Sequence, residues 1–182
     1  MRKTLLLFTT TALTLLLAAG TAWAALPAPT VFSTDPATTV APTPLPSNVV
    51  RTADITATFS EAMSTKSLGI CNHCTSTTSS QTFYLLPGNF TALSPTKNPP
   101  RFCTTLTTAC PDPIPATVSY NSGTNTATLN PGSTPSSTTE LVRNMTYTAV
   151  VEGTADGDFV AVKDAGGTQM ATDYIFHFTT AP

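Results

Sequence analysis

Two β-forming runs bracket a polar loop near the end of this chain, and they limit what it can become. The first is Met145-Thr146-Tyr147-Thr148-Ala149-Val150-Val151; the second is Tyr174-Ile175-Phe176-His177-Phe178-Thr179-Thr180. The second run alternates, with Tyr174, Phe176 and Phe178 in one phase and Ile175, His177 and Thr179 in the other. Side chains along a strand point to opposite faces in turn, so three aromatics in phase need a covered sheet face. Two such runs separated by turn residues predict neighbouring antiparallel strands.

Upstream segments repeat the pattern. Pro29 to Thr34 reads as a first strand, turned by Asp35-Pro36. Pro42, Pro44 and Pro46 then exclude a regular ladder, because proline has no N–H to give. Asp54 to Ser60 alternates with Ile55, Ala57 and Phe59 inward, and a short turn follows through Leu68. Thr82 to Leu86 is a strand stopped by Pro87-Gly88. Ala116 to Tyr120 and Thr126 to Asn130 flank a loop, Asn121 to Asn125, that contains a glycine, which predicts a hairpin. The segments Asn89 to Pro115 and Pro131 to Thr139 read as long loop insertions. About seven short strands without a convincing helix predict an all-β fold, a β-sandwich.

The start of the chain is a different matter. Arg2 and Lys3, the apolar stretch Leu5 to Leu17, and Ala22-Trp23-Ala24 have the three parts of a secretory signal peptide. The expected division is therefore a signal peptide at 1–24, a proline-rich segment with the first strand at 25–50, and the sandwich body at 51–182. No later apolar run is long enough to cross a bilayer, so no membrane span is expected after cleavage. The expected location is secreted, periplasmic or cell-surface. Beyond residue 24, six Lys and Arg face ten Asp and Glu, leaving a net charge of −4. Such a chain has no basic track for a phosphate backbone, which argues against nucleic-acid binding. Its polarity comes from hydroxyls instead: 33 threonines follow residue 24, and their β-branched side chains suit strands.

Four groups of residues together resemble the bacterial Ig-like domain of the SbsA (S-layer protein) type: Asp54 to Met63; Asn125 to Pro131; Leu141 with Met145 to Val151; and Lys163 to Gly167 leading into Tyr174 to Thr180. The likeness spans roughly Pro29 to Thr180 and is carried mainly by the last third. It implies a seven-stranded Ig-like sandwich used as a spacer or adhesive module, with Tyr147 at the place of a corner tyrosine. It implies no catalytic residues. The chain departs from the pattern by carrying a cysteine-bearing insertion.

The residues with chemistry are few. Cys71, Cys74, Cys103 and Cys110 are an even set in a chain expected to be exported, which predicts disulfides; three pairings are open, and bridges between the two cysteine segments would tie down both loops. A metal site using Cys71, His73 and Cys74 is the competing reading, although the second spacing, six residues between Cys103 and Cys110, is a poor zinc match. Asp156, Asp158 and Asp164, near Glu152 and several glycines, are weak calcium candidates, since hard oxygen ligands on a loop suit that ion, but Asp with Gly is also ordinary turn chemistry. His177 is expected on the outward face as a solvated or edge residue. Phe90, Phe102 and Leu106 in the long loop are candidates for apolar contact with a partner. No G-x-S-x-G or H-E-x-x-H occurs, and no cofactor is expected. The expected function is structural, adhesive or protein-binding, with a protein or cell-surface glycan as partner.

Overall fold

The computed structural model describes residues 27–37, 45–69, 82–90, 93–94, 101–102, 113–131, 140–154 and 161–182. Seven strands of these residues form two antiparallel sheets. β1 (Val31–Asp35), β2 (Ile55–Phe59), β7 (Thr126–Asn130) and β6 (Thr117–Asn121) make the first, in the order β1-β2-β7-β6. β3 (Phe83–Pro87), β8 (Thr146–Val151) and β9 (Tyr174–Thr179) make the second, in the order β3-β8-β9. A separate two-residue pair joins β4 (Leu93–Ser94) to β5 (Arg101–Phe102). The seven-strand order is that of a constant-type immunoglobulin sandwich, four strands facing three.

The inward phases read from the sequence for β2 and β9 are those of the structure. Ile55, Ala57 and Phe59 of β2 and Ala127 and Leu129 of β7 are buried in one core. Phe83 and Leu85 of β3, Tyr147, Ala149 and Val151 of β8, and Phe176 and Phe178 of β9 meet them from the other sheet. Tyr147 and Phe178 stack with centroids 5.7 Å apart. Fully burying a side chain of this kind contributes about 1.5–3 kcal/mol. The Tyr147 oxygen accepts a 2.8 Å hydrogen bond from the Val142 N–H, so the corner tyrosine that the resemblance implied is present.

The three-stranded sheet is covered on both faces. Its outer side carries a second cluster of Tyr84, Leu86, Val150 and Phe90, with Ile175 packed against it. Near-continuous apolar runs such as Phe83-Tyr84-Leu85-Leu86 are what a strand buried on both faces requires.

The N-terminal part is shared between the sheets. β1 pairs with β2, whereas Val49 bridges Thr180 in parallel. Three backbone bonds fix that second contact: the Val49 N–H to the Thr179 oxygen at 3.1 Å, the Thr179 N–H to the Pro46 oxygen at 2.8 Å, and the Ala181 N–H to the Val49 oxygen at 2.8 Å. The turn after β2 contains one α-type bond, from the Leu68 N–H to the Ser64 oxygen, and does not continue into a helix.

Candidate functional site

The residues singled out from the sequence fall into three groups in space. The first surrounds Phe90, and here the structure corrects two expectations. Phe90 is 8% exposed and belongs to the outer cluster, so it packs within the domain and is not offered to a partner. His177 does point outward from β9, but it is half-buried, and its Nε2 lies 2.8 Å from the Phe90 carbonyl oxygen. A carbonyl only accepts, so Nε2 carries the proton in this bond. The Phe90 N–H donates to the Thr148 hydroxyl at 3.0 Å, and that hydroxyl donates to the Gly88 oxygen at 2.7 Å. Both backbone groups of Phe90 are thus fastened by side chains of β8 and β9. Gly88 has φ +117°, and a Cβ there would stand 2.8 Å from the Phe90 ring, so glycine is needed for the chain to fold back.

The second group is the acidic loop. Asp164 is buried, and Thr168 N–H donates to its Oδ1 at 2.7 Å. Burial alone would raise its pKa; hydrogen bonds from Thr168, Gly167 and Gly166 outweigh this and hold it below the ordinary value of 3.8. The Asp173 carboxylate accepts from the Gly153 N–H at 2.6 Å. Around them the loop is laced to itself: Val162 N–H to the Glu152 oxygen, Met170 N–H to the Val162 oxygen, and Thr154 N–H to the Met170 oxygen. Val162 and Met170 reach the main core, so this segment closes one end of the sandwich. Among the described residues no three His, Cys, Asp or Glu side chains converge as metal ligands. Asp156 and Asp158 lie outside the described residues, as do Cys71, His73, Cys74, Cys103, Cys110 and Leu106. Phe102 is placed in β5 opposite Leu93.

The third group was not singled out from the sequence. The outward positions of the four-stranded sheet form cross-strand rows of hydroxyl and amide side chains, with the Asp35 carboxylate at one margin. In one row Ser33 stands opposite Thr58, Thr58 opposite Thr126, and Thr126 opposite Asn121. In the next, Asp35 faces Thr56, Thr56 faces Thr128, and Thr128 faces Ser119. The Thr58 and Thr126 hydroxyls are 3.0 Å apart and hydrogen-bonded. Phe32 sits where the β1 register shifts between Val31 and Ser33, and it is 81% exposed. The signal was the Thr-Ala-Thr triplet in both β2 and β7, visible as alternation but read only for its inward half.

Elsewhere, a shallow cleft of about 190 Å³ runs between Ala28–Val31 and Met170–Thr172 with Tyr174. No helix among the described residues is long and apolar enough to cross a membrane.

No family model matches this chain, and no curated protein matches it. Two solved structures are similar. One is the S-layer protein rSbsC(31-844), 18% identical over 85% of this chain and 14% of that chain, with a TM-score of 0.40. The other is the N-terminal part of the bacterial S-layer protein SbsC, 18% identical over 85% of this chain and 24% of that one, with a TM-score of 0.41. This chain therefore spans a quarter or less of the length of each structure it matches.

Proposed function

We propose that this chain is a non-catalytic Ig-like module that works outside the cytoplasm, as a structural or adhesive unit of a secreted assembly or cell surface. The observation that carries this reading is how its ionisable groups are used. His177, Asp164, Asp173 and Tyr147 each hold a backbone group of a neighbouring segment, so the polar chemistry of the domain fastens its loops. The second support is the charge-poor, hydroxyl-rich strand surface, suited to contact rather than to proton transfer. The signal-like segment 1–24 and the even cysteine set agree with export, with two disulfides joining the cysteine segments.

The test is to isolate the protein from its host, separate cytosol from exported fractions, and measure its mass before and after reduction. The expected result is a chain starting at Ala25, four hydrogens lighter than its reduced form, recovered with the exported fraction and retained by isolated cell envelope. An uncleaved chain in the cytosol, or four free thiols holding a metal, overturns the reading.

A further inference from the structure

We propose that the outer face of the β1-β2-β7-β6 sheet is a binding face for a neutral polysaccharide chain, a proposal that rests on the adhesive reading above and names its ligand. Four threonines form the centre, with Thr58 beside Thr126 and Thr56 beside Thr128. Adjacent strands lie about 4.8 Å apart, and residues two apart on one strand about 6.8 Å, so the hydroxyls stand on a regular grid of roughly those spacings. Ser119 extends one row onto β6. Each hydroxyl both donates and accepts, as do the hydroxyls of a sugar. The side chains of Thr56 and Thr128 make no hydrogen bond among the described residues, which leaves both free to do so.

Charge selects the kind of sugar. Of the twenty residues in the four strands, Asp35 alone carries a formal charge, and it lies at the margin in β1. The face has no cation to attract sulfate, phosphate or uronate groups, and Asp35 repels them. A neutral polyol meets no such penalty. Phe32, exposed at the margin of the same face, adds an aromatic surface on which the C–H side of a pyranose ring can stack. Shape selects a chain over a lattice. Each strand is rotated about 20–25° from its neighbour, so the rows turn across the sheet. A rigid array such as ice cannot follow that rotation, whereas a polysaccharide can, by rotating about its glycosidic bonds.

Affinity electrophoresis of the purified protein through gels containing soluble neutral polysaccharides (a β-glucan, a galactomannan, a dextran) or anionic polygalacturonate tests this. Retardation is expected with at least one neutral polymer and not with polygalacturonate. Thr56→Val with Thr128→Val keeps the side-chain shape, removes two hydroxyls and is expected to weaken binding about tenfold. Phe32→Ala is expected to weaken it too, whereas Thr124→Val in the hairpin loop leaves it unchanged. Thermal melts run in parallel confirm that each variant is folded. The proposal is overturned if no neutral polymer slows the wild-type protein, if polygalacturonate slows it more, if the protein binds ice and no glycan, or if the double valine variant binds as wild type. Envelope retention is scored on the same variants. Retention by a double variant that has lost the glycan overturns this face as the contact that holds the envelope, while leaving the adhesive reading standing.

Discussion

Phe90 shows what one side chain can hold in place. Its ring fills the outer cluster, and its N–H and C=O are tied to Thr148 and His177. Phe90→Ala should therefore lower stability by about 3–5 kcal/mol, read as a shift in denaturant midpoint, because a cavity opens and the outer face of a sheet is uncovered. Asp164 makes a different claim, through pH. A carboxyl held below its ordinary value contributes stability that is fully present above 3.8 and is lost as pH falls through its lower folded value. The melting temperature of the wild type should fall over that acidic window, and Asp164→Asn should be less stable at neutral pH with a flatter acid limb. Neither role was legible beforehand. The sequence placed His177 outward correctly, but its partner is a backbone oxygen 87 residues away, and no local pattern encodes that.

At the scale of elements the sequence was far more informative, since period-two alternation and turn residues act locally. The β6–β7 hairpin and the inward faces of β2 and β9 follow from residues within a few positions of one another, the β8–β9 pairing follows from two β-forming runs around one polar loop, and the corner tyrosine was implied by the family resemblance. The loop between β8 and β9 was less legible. Its glycines and acids read as ordinary turn chemistry or a weak calcium loop, and neither reading foretells that Val162, Asp164 and Met170 are buried. Gly153 shows how tightly it is packed: a Cβ there would overlap the backbone of Thr172. Gly153→Ala should destabilise the domain by about 1–3 kcal/mol, and amide exchange of the Thr154 and Met170 N–H groups should accelerate more than that of the β6–β7 hairpin.

For the whole molecule, a sandwich of about seven strands was expected from strand count and resemblance, its division into four strands and three came from the structure, and the candidate binding face was only half visible. Its threonines were read as strand formers, and cross-strand register, which sets them side by side, cannot be counted from the sequence. Thr180 joins several parts at once. Its hydroxyl donates to the Val142 oxygen and accepts from the Met145 N–H, next to the parallel contact with Val49. Thr180→Val removes both bonds without changing shape, and a loss of about 1–3 kcal/mol in a single cooperative transition is expected in a thermal melt. The parallel contact has a mechanical consequence. Because residues 46–49 and 179–181 run in the same direction, tension applied between a point upstream of Pro46 and the end at Pro182 draws the two segments past each other along their length. The three backbone bonds between them then share the load in shear and do not open one after another like a zip, so a domain of this build is stiff along the line joining its ends.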